Sequence, residues 1–326
     1  LRLCGDECAL APFDSILLEA VDDAQVTRLL PQVAIPVRGE AKVTAKNCNA
    51  VRLYDWSMSL FDKSGLLLQT ATVPAVPIVN QLEHGEFRIA PDIKMRFGTM
   101  PTMDMCELCV RYETTIENSY DGPVELLMEP GSVVGEWTLR VNDSAPIQPK
   151  DFLPTPAHVR GSLAIDVTSH LKTGTNVLSI DLVSDRPDGG LLNALYLVGD
   201  FSVECDPVAI TQRTPIGVFE DYEANGLPFY AGVVEYQTCF EIEVVPDGDR
   251  VLAMLDFQET FLEACEVSVN DSDWRSLPWS PYAFAMDTDH LNTGTNMLRI
   301  RVYTSLIRSF EGQRFNHHLH SQQAIV

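Results

Sequence analysis

The sequence predicts an all-β chain that carries two copies of one β-sandwich, and three observations support this. The string HLKTGTNVLSIDL at His170–Leu182 returns as HLNTGTNMLRIRV at His290–Val302, with six core residues (His, Leu, Thr, Gly, Thr, Asn) matched in register. The flanks repeat too: WTLRVND at Trp137–Asp143 answers CEVSVND at Cys265–Asp271, and RYETTIE at Arg111–Glu117 answers EYQTCFEIE at Glu235–Glu243. Short alternating apolar runs, divided by Gly, Pro and Asn-Asp turns and almost without helical period, are the pattern of a sandwich. Tyr112 and Tyr236 stand 124 residues apart, Asn142 and Asn270 128, Gly174 and Gly294 120. Offsets that drift this little are what loop insertions between shared strands leave, so each copy is a domain of about 120 residues.

Composition agrees. The 326 residues are 45% hydrophobic, enough for real cores, and Gly 19 with Pro 20 is ordinary. A net charge of −23 argues against nucleic acid or an anionic membrane as partner, since both need a positive surface. No apolar run reaches the roughly 18 residues that a membrane-spanning helix requires. The opening LRLCGDEC shows neither Met nor a signal-peptide pattern and reads as part of something longer. The eight cysteines are scattered, the lone CxxC of Cys106 and Cys109 lacks a second ligand pair, and a reducing, cytoplasmic compartment is mildly favoured.

In chain order, residues 1–47 read as the remnant of a preceding β domain plus a linker. Leu10–Glu19 is a closing strand, Asp22–Leu30 a short helix, and Val33–Thr44 a loose strand. The first sandwich covers 48–206. In it Val51–Phe61 reads as one strand, with Val51, Leu53 and Asp55 on one face and Arg52, Tyr54 and Trp56 on the other, before the DKSG turn. Thr70–Gly98 reads as an irregular, Pro-rich excursion. Strands follow at Cys106–Glu117, Val124–Glu129, Trp137–Asn142, Leu163–Val167, Asn176–Val183 and Leu192–Val203. The second sandwich covers 207–326, after a linker at Asp206–Pro215. Its strands are Gly226–Glu243, Val251–Phe257, Ala264–Asn270, Tyr282–Asp287 and Asn296–Tyr303, and a polar tail begins at Arg308. His317, His318 and His320 in that tail have no carboxylate or Cys partner nearby and read as surface residues rather than metal ligands.

The order E-V-x-V-N-D, W-x-P-Y-x-F, D-x-T-x-x-L-x-T-G-x-N-x-L-x-I-x-V resembles the galactose-binding-like jelly-roll domain. That domain accompanies the β-galactosidase and β-glucuronidase superfamily and α-L-rhamnosidase-like glycoside hydrolases. The second copy carries the resemblance at Val267–Asp271, Trp279–Phe284 and Asp287–Val302, the first at Val141–Asp143, Asp166–Ile180 and Leu195–Val203. GLPFYAGVVEY, Gly226–Tyr236, resembles the start of the last such domain in large glycoside hydrolases. The resemblance implies tandem galactose-binding-like sandwiches in the non-catalytic C-terminal region of such an enzyme. Its partners would be carbohydrate and the missing catalytic barrel domain of the parent chain. The alternative is a free-standing carbohydrate-binding or adhesion module.

Each motif residue has a physical reason. Asn before Asp accepts the positive φ of a tight turn, and Gly174 and Gly294 supply the same freedom at a chain reversal. Leu171 and Leu291 read as apolar plugs beneath that turn. Glycoside hydrolysis uses two carboxylates held at a set distance, and none of the 46 acidic residues stands in a signature that singles it out. Glu235 and Glu241 read as solvated or capping. Sugar contact uses aromatic faces with polar groups beside them, and Asp271–Phe284 offers Trp274, Trp279 and Tyr282 with Asp273 and Arg275. The structural alternative is that Trp279 and Tyr282 pack the sandwich edge. Trp56 and Trp137 read as core, and Tyr222, Phe229 and Tyr230 as shaping a surface that faces a missing catalytic domain or as buried at that interface. No cofactor is expected, and a structural Ca²⁺ in either sandwich is left open.

Overall fold

The computed structural model describes residues 34–37, 41–87, 108–186, 188–214, 224–257, 263–311, 315–316 and 321–322. The Leu10–Glu19 strand, the Asp22–Leu30 helix, Cys106, Tyr222 and the three tail histidines lie outside these residues. The fold is an all-β sandwich architecture. The chain runs β1 (Lys42–Ala45), β2 (Asn49–Leu53), β3 (Asp55–Phe61), β4 (Leu67–Pro74) and α1 (Ile78–His84). Then come β5 (Leu108–Asn118), β6 (Val124–Met128), β7 (Val133–Val134), β8 (Glu136–Val141), β9 (Leu153–Pro154) and β10 (Leu163–Asp166). The first core is completed by β11 (Gly174–Ser184), β12 (Gly190–Leu191), β13 (Leu195–Gly199), β14 (Phe201–Cys205) and β15 (Val208–Gln212). Its back sheet is ordered β2-β13-β6-β10-β9, and its front sheet β14-β15-β5-β11-β8 with β3 and β4 added on the β5 edge. Trp56, Tyr112, Leu139 and Ile180 from the front meet Leu53, Leu126 and Leu197 from the back in one buried cluster.

Two stretches that read as single strands divide between these layers. Alternation places Val51 and Leu53 inward, and then Trp56, Met58 and Leu60, so the inward phase slips by one at Tyr54–Asp55. The slip has a physical cause: β2 belongs to the back sheet and β3 to the front, and each must turn its apolar residues to the shared core. Leu192–Val203 divides in the same way into β13 and β14. The corner is Gly199, where a Cβ would stand 2.7 Å from the Pro123 carbonyl oxygen. The stretch read as an excursion from Thr70 holds most of β4 and then α1, whose Ile78 and Leu82 are fully buried. The linker read at Asp206–Pro215 contains β15, which runs parallel to β5 at Ala209–Ile210.

The remaining chain gives β16 (Val233–Ile242), β17 (Arg250–Met254), β18 (Ala264–Val269), β19 (Arg275–Leu277), β20 (Ala283–Asp287) and β21 (Gly294–Tyr303). After them stand α2 (Ile307–Glu311) and the short pair β22 (Phe315–Asn316) and β23 (Ser321–Gln322). The main sheet is β1-β16-β21-β18-β19, faced by the pair β17-β20. Tyr236, Val267 and Ile300 of that sheet bury against Phe284 and Met286 of the pair. Lys42–Ala45, inside the stretch read as remnant and linker, is thus an edge strand of the second main sheet. It lies on β16 where β3 lies on β5: Val43 is opposite Tyr236 as Met58 is opposite Tyr112.

The repeated string folds into the same node twice. Asn142 (φ 55°) and Asn270 (φ 50°) occupy the left-handed turn after β8 and β18, as Asn-Asp turn chemistry requires. Each reaches out with its side-chain amide, Asn142 to the His170 carbonyl and Asn176 Oδ1 (2.9 Å each), Asn270 to the His290 carbonyl and Asn296 Oδ1. Asn176 and Asn296 are fully buried and donate in turn to the carbonyls of Lys172 and Gly174, and of Asn292 and Gly294. Leu171 and Leu291 are partly buried against their respective cores. The two halves are joined by Asn49, fully buried, which donates to the carbonyls of Phe201 (2.9 Å) and Gly226 (2.8 Å).

Candidate carbohydrate-contacting face

The best candidate among the sequence-predicted residues is Trp274. The turn after β18 is tied by Ser272, whose amide donates to the Val269 carbonyl (3.0 Å) and whose Oγ accepts from the Val269 amide (3.1 Å). The chain then returns along β18 as β19, with Leu277 turned to the core. Alternation puts Trp274 and Ser276 on the opposite, outer face of the sheet. There Trp274 covers two cations: the Arg301 guanidinium carbon lies 3.9 Å from its ring centroid and that of Arg299 5.3 Å.

These arginines follow from the repeated string. In MLRIRVY the residues Leu298, Ile300 and Val302 face the core, so Arg299, Arg301 and Tyr303 face out. The ladder then sets a transverse row, Thr44–Glu235–Arg301–Glu266–Ser276. Arg301 Nε donates to Glu235 (2.9 Å), which Lys46 also contacts at 3.2 Å. Tyr303 and Ser276 donate to the two oxygens of Glu266 at 2.7 and 3.4 Å. Arg299 donates to Ser268 Oγ (3.0 Å) and to the Asn270 carbonyl (2.8 Å). Burial pushes the Glu235 carboxyl up, but the hydrogen bonds and charges of Arg301 and Lys46 outweigh it and hold it below its ordinary value. The hydrogen bond to Glu266, then burial, pushes the Tyr303 hydroxyl up. Glu235, expected as a solvated or capping residue, is therefore the anchor of a charge row, with its side chain 17% exposed.

The five residues singled out in the sequence do not converge. Trp274 is half-buried on the outer face. Arg275 lies on β19 with the inward Leu277 and is itself exposed. Asp273 is exposed. Tyr282 is buried, edge-on to Phe257 at 5.4 Å, and its hydroxyl donates to the Glu263 carbonyl at 3.2 Å. Trp279 is 56% exposed, so of the proposed edge-packing pair only Tyr282 is packed inside. Trp56 and Trp137 are core residues, and so is Tyr230. The cationic members of the face, Arg299 and Arg301, were missed although period-two alternation marks them. Among the described residues no group of three or more His, Cys, Asp and Glu side chains gathers as a metal site would need.

No family model and no curated protein sequence matches the chain. Among solved structures it is similar to a β-D-mannosidase from Dictyoglomus thermophilum, at 11% identity and a TM-score of 0.31, over 78% of this chain and 31% of that one. It is also similar to a GH2 β-galacturonidase from Eisenbergiella tayi bound to galacturonate, at 10% identity and a TM-score of 0.28, over 83% and 39%. A third is the β-glucuronidase of Ruminococcus gnavus, at 12% identity and a TM-score of 0.30, over 80% and 40%. The chain therefore spans well under half the length of these glycosidases.

Proposed function

We propose that the chain is a non-catalytic accessory region of a glycoside hydrolase. In this reading 48–206 and 207–326 are tandem galactose-binding-like sandwiches that brace a catalytic barrel, and the Trp274 face borders the carbohydrate. The observation that carries it is the motif pair at Asp166–Ile180 and Asp287–Val302, which resembles that domain in sequence and folds twice into one hydrogen-bonded node. A scaffold built from rigid, internally satisfied turns suits bracing, and its functional contacts belong on loops and outer faces. The test is turnover: pure chain should leave aryl glycosides intact, and hydrolysis by it would sink the accessory reading.

A second reading, a free-standing carbohydrate-binding or adhesion module, is favoured by one observation, the large exposed ring of Trp279. Affinity electrophoresis in polysaccharide gels separates the two. Retardation of the chain alone favours the module, and retardation only with a barrel domain attached favours the brace.

A further inference from the structure

Among the described residues the back layer of the second sandwich has an open edge. In the first sandwich the chain that leaves β11 returns as β13 and pairs with β6, setting Tyr196 opposite Leu127. In the second sandwich the chain that leaves β21 enters α2 instead, and its Phe310 ring packs edge-on against His158 of the first sandwich at 5.4 Å. Among the described residues β17, the counterpart of β6, therefore pairs only with β20.

The ladder fixes which groups are left over. The Thr288 amide donates to the Asp249 carbonyl (3.0 Å) and the Leu255 amide to the Tyr282 carbonyl (2.9 Å), as the Val167 amide donates to the Val124 carbonyl in the first copy (3.0 Å). Antiparallel ladders alternate, so the backbone N–H and C=O groups of Arg250, Leu252 and Met254 point away from β20, toward the side that β13 fills in the first copy. The core is thin on that side too. Val251 and Ala253 face it but are only partly buried, where their counterparts Leu126 and Met128 are 0% and 6% exposed. On the outer face Leu252 and Met254 are 74% and 60% exposed. Edge strands are ordinarily guarded by charge or proline, and Lys42 stands on β1 and Arg275 on β19. On β17 the one charge, Arg250, is held by Asp287 of β20 at 2.8 Å.

We propose that this edge accepts an extended peptide segment of a partner protein as an added antiparallel strand. The central residue of the segment is large and apolar and lies on Leu252 and Ala285, as Tyr196 joins Leu127 and Ala164 in the first copy. Its ends are basic, because exposed Asp247 and Asp249 precede the free edge of β17 and exposed Asp256 follows it. In strand addition of this kind main-chain hydrogen bonds supply the affinity and alternate side chains the specificity. A second copy of the chain fits poorly. Pairing β17 with itself about Leu252 would bring Asp247 and Asp249 alongside Asp256 of the other copy, and each chain carries −23. The site is independent of the Trp274 face and of the accessory reading.

Fluorescence anisotropy on the full chain tests it with a labelled peptide, KKALYLVGKK, which sets Ala194–Gly199 of the β13 region between lysine pairs. Micromolar binding is expected, about tenfold tighter than that of a scrambled peptide of the same composition. In hydrogen exchange the Leu252 and Met254 amides should exchange fast in the free chain and slow about tenfold when the peptide is added. Leu252→Pro removes an N–H that points away from β20, so it should retain the thermal melt and weaken binding about tenfold. If that variant does not fold, Leu252→Lys, which guards the edge and keeps the amide, should weaken binding to a similar degree. Leu67→Lys, on the exposed edge strand β4, should leave binding unchanged. The proposal is overturned if the peptide does not bind, if the scrambled peptide binds as well, or if the Leu252 variants bind like the parent chain. Protection of the Leu252 amide in the free monomer also overturns it, since the chain itself would then fill the edge. So does a dimer in sedimentation that Leu252→Pro dissolves, which would make a second copy the occupant.

Discussion

The two copies differ at one pair of equivalent positions. Aligning the back strands on Asp166 and Asp287 sets Leu127 of β6 against Leu252 of β17, with Ala164 and Ala285 as their cross-strand partners. Leu127 is 5% exposed and Leu252 is 74% exposed. In the first sandwich β6 has strands on both sides, and Tyr196 of β13 joins Leu127 and Ala164 in a small second cluster on the outer face. Among the described residues β17 pairs only with β20, and the chain after β21 turns away to deliver Phe310 to the first sandwich. Fold motif and exposed surface are thus separable: like turn nodes support one copy whose β6 is covered on its outer face at Leu127 and another whose β17, among the described residues, is exposed there at Leu252.

The most severe test of this comparison is Trp56→Ala. Trp56 is 1% exposed and its Nε1 donates to the Leu53 carbonyl at 3.1 Å, so the loss should be about 3–5 kcal/mol. Hydrogen exchange should then speed up in β5 and β11 while β16 and β21 keep their protection. Equal loss in both would mean one cooperative unit and would end the comparison. Next in size is the Leu pair: Leu127→Ala should cost about 2–4 kcal/mol in urea unfolding, and Leu252→Ala less than about 0.5 kcal/mol. Similar costs at the two sites would show that β17 is covered after all.

The node pair sharpens the likeness rather than the difference. Asn176→Ala and Asn296→Ala each remove a buried amide that satisfies several backbone groups, and each should cost about 2–3 kcal/mol. A large mismatch would mean that the nodes are alike in geometry but not in energy. Trp274→Ala, losing its contact with Arg301, should cost about 1 kcal/mol and abolish any retardation in polysaccharide gels.

The smallest effect is acid sensitivity of the second sandwich. The folded Glu235 carboxyl lies below its ordinary 4.5, so its contribution is fully present above that pH and is lost as pH falls through the lower folded value. Glu235→Gln should lower stability at neutral pH and flatten the decline below about pH 4.5, measured as the urea midpoint across that range. An unchanged decline would remove the charge row as its source.

Much of this was legible in order along the chain. The positive φ of Asn142 and Asn270 follows from turn chemistry, and the alternation of Leu298, Ile300 and Val302 marks which residues of β21 face in. The phase slip at Tyr54 is also written there, since Trp56, Met58 and Leu60 alternate out of step with Val51 and Leu53. Periodicity within a strand does not say which sheet the strand joins, so the run still reads as one strand. Trp274 stands out in the sequence for its ring, yet its partners Arg299 and Arg301 lie on β21, and only pairing across the sheet brings them beneath it.

By itself the sequence determined the all-β class, the duplication and the turns. These depend on contacts between near neighbours, on period-two alternation and on residues that tolerate φ > 0, all of which act locally. The tertiary structure alone decided that Lys42–Ala45 completes the second main sheet, that Phe310 reaches His158 of the first sandwich, and that Leu252 is bare where Leu127 is covered. Those outcomes depend on which segment reaches a sheet edge or an outer face first. That is a matter of chain path over more than a hundred residues, and no local pattern encodes it.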